Sequence, residues 1–122
     1  MFEYRGKVLD VHDGDTITVD IDLGLDVQLR GQKVRLRGIQ SPELNTDEGK
    51  AAQRYLEALL KDQCVLIRTF KDRREKFGRY LAEVCTIIGD SCGEWASKLM
   101  VENGHAVPWD GKGPRPRGLP RP

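Results

Sequence analysis

Read for its apolar positions, the chain changes period twice. Thr16-Ile17-Thr18-Val19-Asp20-Ile21 alternates polar and apolar, the period of a half-buried strand. Tyr4 to His12 carries Tyr4, Val8 and Val11 in looser alternation and is the expected first strand, joined to the second through the turn signal Asp13-Gly14. Leu23-Gly24 turns the chain again. Val27 to Arg30 and Val34 to Ile39 then form a third strand, broken or bulged at Gly31-Gln32. In that strand Val34, Leu36 and Ile39 read as inward and Arg35 and Arg37 as outward. Gly38 loosens it and Ser41-Pro42 ends it. The period then lengthens. Ala51, Ala52, Tyr55, Leu56, Leu59 and Leu60 recur at helical spacing up to about Asp62, after an entry at Thr46 or Asp47 with Glu48 at the positive end of the helix dipole.

The second half returns to strands. Cys64 to Ile67 is a short apolar run, expected as a buried strand, and Phe70 to Gly78 is a charged connection. Arg79 to Ile88 is the next strand, with Leu81, Val84 and Ile87 as core candidates before the turn at Gly89-Asp90. Ser91 or Cys92 is expected to open a second helix, with Trp95 and Leu99 on its core face and a stop at Asn103-Gly104. The order β-β-β-α-β-β-α predicts a mainly β fold: a five-stranded OB-fold Greek-key barrel with two or three helices. Residues 1–110 form the expected domain. Residues 111–122, nearly all Gly, Pro and Arg, read as a disordered basic tail that lacks apolar surface to bury.

Composition narrows the class. At 122 residues, 39% hydrophobic and 32% charged, the chain suits one globular domain, and no apolar run approaches the roughly 20 residues of a membrane span. Met1 to Arg5 holds no apolar signal region, so a cytoplasmic monomer is expected. The net charge of +1 conceals an asymmetry: four of the 20 basic residues (Lys112, Arg115, Arg117, Arg121) follow Asp110, which leaves 16 against 19 acids before it. A uniformly basic nucleic-acid coat is thereby excluded, and any polyanion contact must be local. Cys64, Cys85 and Cys92 match no zinc spacing and read as reduced thiols; a Cys85–Cys92 bridge has no support in the pattern.

The candidate chemistry sits at the ends of these strands. Asp13-Gly14-Asp15-Thr16 places two carboxylates at a tight turn, a source of oxygen ligands for a hard cation, although Asp-Gly also favours a plain hairpin. Arg35 leaves the third strand and Arg79 opens the fifth, so two guanidinium groups could grip one phosphodiester from two sides. Glu43, just past the third strand, could take a proton from water. His12 reads as a strand residue without a chemical role, and His105 as bonding a terminal helix carbonyl. Arg73-Arg74 is either a solvated face or a backbone-phosphate contact.

At these residues the chain resembles the staphylococcal nuclease-like (thermonuclease) family. The likeness runs in order through Val11 to Thr16, Arg35 to Glu43, Phe77 to Ala82 and Leu99 to Ala106, and covers roughly residues 4 to 109. The resemblance implies an OB-type barrel and calcium-dependent cleavage of DNA, RNA or both. Asp15 matches a calcium ligand, Asp13 an acid near the metal, and Ser41 a residue whose carbonyl binds it. Glu43 matches the general base, Arg35 and Arg79 the phosphate-gripping arginines, and Lys76 a lysine near a phosphate. Trp109 falls where the family places aromatics beside the substrate. Two positions depart from the pattern. Gln40 stands where the family usually has a ligand aspartate, which implies weaker calcium binding or a shift toward magnesium or manganese. Phe77 stands where a tyrosine is common; it can stack on a base but cannot donate.

The expected activity is a metal-dependent endonuclease with DNA or RNA as substrate and no membrane partner. The alternative is a weakened or inactive OB module that binds single-stranded nucleic acid or a protein. Joint retention of Asp15, Arg35, Glu43 and Arg79 favours the enzyme, because a carboxylate beside a phosphate repels a ligand that is merely held.

Overall fold

The structure is a computed structural model and describes residues 2–74 and 78–109, with side chains left aside at 71–74. Lys76, Phe77, the side chains of Arg73-Arg74 and the tail 111–122 lie outside the described residues.

The meander appears as expected. β1 (Phe2–Asp13), β2 (Thr16–Gly24) and β3 (Val27–Leu36) pair antiparallel in sequence. The extra residue in β3 lies between Leu29 and Gln32, where Gly31 takes a φ of +64° that a side chain would resist. β4 is the short Ile39–Gln40, followed by α1 (Asp47–Leu60), β5 (Cys64–Arg74) and β6 (Tyr80–Ile88). β1 pairs with β5, β5 with β6, and β6 returns to β3 in parallel through Val34↔Tyr80, Arg35↔Leu81 and Leu36↔Ala82. Five strands therefore close into a barrel. Its interior is Val8, Ile17, Val19, Val34, Leu36, Val65, Ile67 and Val84, all fully buried. One end is plugged by α1 through Ala52, Leu56 and Leu60. Thr46 caps that helix by accepting from the Gly49 N–H, with Asp47 and Glu48 in the first turn.

The second half departs from expectation in four ways. First, β5 runs to Arg74, so strand continues into the expected charged connection; outward positions on a barrel tolerate charge. Second, Ser91–Trp95 is not a helix start but a strand, β7, because Gly89-Asp90 makes a two-residue hairpin that pairs Ile88 with Ser91. α2 is only Ala96–Glu102, and Ala96 and Met100, not Trp95 and Leu99, are its buried residues. Trp95 is half-buried under the Arg68 guanidinium, 4.5 Å from its ring centre. Third, parity fixes Ala82 and Val84 as inward, so Leu81 faces out at 41% exposure, and Ile87 is half-buried. Fourth, Cys85 and Cys92 form a disulfide across the β6–β7 hairpin, with Cα atoms 5.9 Å apart, while Cys64 is a free, exposed thiol. The hairpin, in place of the expected helix start, is what brings the two sulfurs together.

β8 (Val107–Pro108) pairs with β4. Just before it, the His105 N–H donates to the Met100 carbonyl and its ring stacks near Tyr55, centroids 4.7 Å apart. Among the described residues no helix is long and apolar enough to cross a membrane.

Candidate active site

The cleft is assembled where the β1–β2 turn meets the end of β3. Asp13 pairs with Thr16, leaving Gly14-Asp15 as the turn. Gly14 is needed for space and not for a left-handed backbone. A Cβ there would stand 2.7 Å from the Ser41 Cβ and 2.9 Å from the Ala52 Cβ. Its absence lets the turn press onto both the Ser41 segment and α1, and that pressure buries Asp15 to 5% exposure. Every exposed alternative for its carboxylate is thus removed, and protein donors replace water. Oδ2 accepts from the Ser41 N–H at 3.1 Å and Oδ1 from the Thr16 hydroxyl at 3.2 Å, and Arg35 Nη1 stands 3.5 Å from Oδ2.

Arg35 curls over the end of its own strand. Nη1 donates to the Leu36 carbonyl at 2.8 Å, and Nη2 donates to the Ile39 carbonyl at 2.7 Å and to Gln40 Oε1 at 3.1 Å. Gly38, with φ +85°, turns the chain so that the Ile39 carbonyl comes round to the guanidinium. Gln40 is oriented by its partners: a guanidinium only donates and a carbonyl only accepts. Its oxygen therefore faces Arg35, and its Nε2 donates to the Ser41 carbonyl at 3.0 Å.

Glu43 lies exposed at the mouth, on a segment fastened to the start of α1. Its carbonyl accepts from the Thr46 N–H at 3.0 Å and hydroxyl at 2.6 Å. A Cβ at Gly49 would collide with that carbonyl, which explains a glycine in the first turn of a helix. Arg79 precedes β6, and its Nη1 donates to the Thr16 hydroxyl at 3.1 Å. Asp13, Asp15, Arg35, Gln40, Ser41, Glu43 and Arg79 thus line one cleft of about 220 Å³, with His12, Pro42 and Leu44 at its margin.

The two aspartates share a proton unevenly. Burial, then the hydrogen bond and charge of Asp15, raise Asp13 to about 6, against the smaller pull of the Asp15 N–H and His12. Burial also opposes charge on Asp15. There the Asp13 bond, the Arg35 guanidinium and the Ser41 bonds together outweigh it and hold Asp15 below the usual carboxylate value. Trp109 does not line this cleft; its N–H donates to the Gly38 carbonyl at 2.9 Å beside the β4–β8 pair. Among the described residues no three His, Cys, Asp or Glu side chains cluster as a metal site. The hard oxygens on offer are the Asp13 and Asp15 carboxylates and the Ser41 carbonyl. A divalent cation fits the carboxylate pair, since it would take the place of the proton that Asp13 retains. Gln40 adds nothing to that set as oriented, because its oxygen faces a cation already and its nitrogen covers the Ser41 carbonyl.

Sequence reasoning missed Gly14 as a packing residue, Gly49 and the bridging hydroxyl of Thr16. Gly49 had a signal, a glycine four residues into a strong helix entry.

The family model described as staphylococcal nuclease homologue matches residues 33–115. The chain belongs to the staphylococcal nuclease homologue family. Asp13 and Asp15 lie before the matched span, and the structure joins them to it through Arg35 and Ser41. A probable staphylococcal-like nuclease of Oryza sativa subsp. japonica is 30% identical over 84 residues, covering 68% of this chain and 15% of its own length. An uncharacterized protein of Bacillus anthracis is 33% identical over 113 residues, covering 84% of this chain and 46% of its own length. The chain therefore spans less than half of either relative. Family and fold agree: a staphylococcal nuclease-like domain on a closed five-stranded OB-type barrel.

Proposed function

We propose that this domain is a metal-assisted nuclease that hydrolyses phosphodiester bonds of DNA or RNA. The observation that carries the reading is the convergence of Asp15, Arg35, Glu43 and Arg79 on one cleft. Arg35 and Arg79 approach it from different strands and bind the phosphate oxygens, offsetting charge that grows as the phosphorus becomes five-coordinate. Glu43 accepts a proton from water; the water oxygen bonds to phosphorus, the ester P–O bond breaks, and the leaving oxygen is protonated from solvent. Asp13 and Asp15 hold the cation, of the calcium type, with magnesium or manganese as substitutes. When bound, it supplies Lewis-acid polarisation of the phosphoryl oxygen.

A second reading has its own observation. Gln40 engages Arg35 with one end of its amide and the Ser41 carbonyl with the other, so the position usual for a ligand acid instead ties the cleft to itself. On that basis the domain holds nucleic acid or a protein without cutting. The test is cleavage of single-stranded DNA, plasmid and RNA across calcium, magnesium and manganese, with a chelator and Glu43→Ala as controls. Chelator-sensitive cutting that the variant loses supports the nuclease. Binding without cutting under every metal gives the binding module. Gln40→Asp sharpens the choice: in the nuclease it tightens calcium binding, measured by calorimetry, because it restores a charge.

Monomeric state and a cytoplasmic setting are part of the proposal. Disulfides persist in oxidising compartments and are rare in the cytoplasm, so thiol counting on protein taken from its host decides the second point.

A further inference from the structure

The cleft does not end at Arg79. A second groove, of about 440 Å³, shares His12, Asp13 and Arg79 with it and continues across the outer face of the meander, where its further walls are Asp10, Thr18 and Lys33. Strand register makes the two spaces successive rungs of one ladder. In the catalytic rung Asp13 pairs with Thr16 and Thr16 with Arg35. In the next, Asp10 pairs with Thr18 and Thr18 with Lys33. Ile17, Val19, Val34 and Leu36 point into the barrel, so Thr16, Thr18, Lys33 and Arg35 share the opposite face. Lys33 follows Arg35 at two residues, about 6.6 Å along the strand. That separation suits neighbouring phosphates on one stretched backbone. Both rungs are bordered on the β1 side by an aspartate. A single backbone running along β3 meets the cations, whereas a second backbone over β1 meets Asp10 and Asp13.

We propose that this groove is a subsite for the nucleotide adjoining the scissile bond, with Lys33 holding its phosphate and Asp10 repelling a second strand, so that the domain takes single-stranded nucleic acid in preference to duplex. The inference rests on the nucleic-acid reading above and adds to it a direction and a strandedness. Lys33 acts as a point charge on the phosphate, a positioning contact that carries no base information. Asp10 discriminates by repulsion, the negative half of specificity.

The test is fluorescence anisotropy in chelator, where nothing is cut, with labelled oligothymidylates of dinucleotide and hexanucleotide length and a labelled duplex. Lys33→Ala is expected to weaken the hexanucleotide several-fold, more than the dinucleotide, and to lower the slope of log affinity against log salt by about 0.7, one phosphate contact on a single strand. Asp10→Asn is expected to narrow the gap between single strand and duplex. Lys61→Ala removes the same charge just beyond α1 and is expected to change neither. If Lys33→Ala and Lys61→Ala behave alike, or the slope is unmoved, the subsite is overturned while the nucleic-acid reading stands. If Asp10→Asn leaves the duplex gap intact, the strand-exclusion half is overturned. If the wild-type domain binds none of these probes, with calcium present or absent, both readings fall together.

Discussion

The two ends of the β2–β3 ladder invert the usual rule of burial. At one end Asp15 is 5% exposed, while at the other Leu25 is 99% exposed and Leu23 and Val27 are also exposed. Charge is inside and leucine is outside. The difference lies in what each end meets. The Thr16–Arg35 end is closed over by the Ser41 segment and by α1, and Gly14 lets them approach. The Gly24–Val27 end outruns the barrel, because β3 is paired on its second side only at Val34, Arg35 and Leu36. Leu25 and Asp26 both sit at positive φ in the connecting turn, where no core is within reach. Burial here follows from the tertiary surroundings of a position, and a buried charge is tolerated where each oxygen has a donor.

The largest expected effect probes what the closed end is for. Glu43→Gln should lower turnover about 10²–10⁴-fold, the usual contribution of a general base, with the urea midpoint unchanged. A variant that cut at the wild-type rate would remove Glu43 from the chemistry. Next is Asp15→Ala, which strands Arg35 and the Ser41 N–H and should destabilise by about 3 kcal/mol in urea melts. A loss no greater than that of a surface substitution would mean that water enters the cleft freely. Gly14→Ala should cost about 1–3 kcal/mol through overpacking against Ser41 and Ala52.

A smaller effect follows from Asp13. Its carboxyl is raised from 3.8 to about 6, so its contribution to stability is present below pH 3.8 and is lost as pH rises to about 6. Asp15 is lowered and works in the opposite sense, its contribution falling away in acid as it protonates. In chelator, Asp13→Asn should therefore melt higher than wild type at pH 7, with the advantage shrinking toward pH 4. Equal melting temperatures at pH 7 would mean that the aspartate pair carries no proton in common. The smallest effect belongs to the open end: Leu25→Asn should shift stability by no more than about 0.5 kcal/mol, since Asn accepts positive φ and nothing packs on Leu25. A large loss there would show that the tip is covered in solution.

Whatever depends on period and local turns is legible in the sequence. Alternation puts Ile17, Val19, Val34 and Leu36 inside, and the order of strands announces the barrel. The seven cleft residues from Asp13 to Arg79 can all be picked out along the chain, six by motif, geometry and resemblance together, and Gln40 by the resemblance. What stays hidden depends on approach between distant segments. Nothing near Gly14 in the chain says that Ser41 and Ala52 will press on it. Leu81 looks like core until its parity is fixed by pairing with Arg35. Cys85 and Cys92 look unrelated until Gly89-Asp90 folds β7 back on β6. Gln40 reads as a substituted ligand, but its double engagement is a matter of side-chain contact that no spacing encodes.

The parallel seam between β3 and β6 also sets a time. Thr16 and Arg79, joined across the cleft, are 63 residues apart, and the seam that brings them together joins residues 34–36 to 80–82. During synthesis the aspartates, Arg35 and Glu43 leave the ribosome well before Arg79 does, and the non-local closure is slower than the local meander. A nascent chain, surrounded by ribosomal and messenger RNA, thus carries most of the cleft's groups with its second arginine still missing. Completion of the barrel is the arming step, and the topology postpones it until the chain is nearly made.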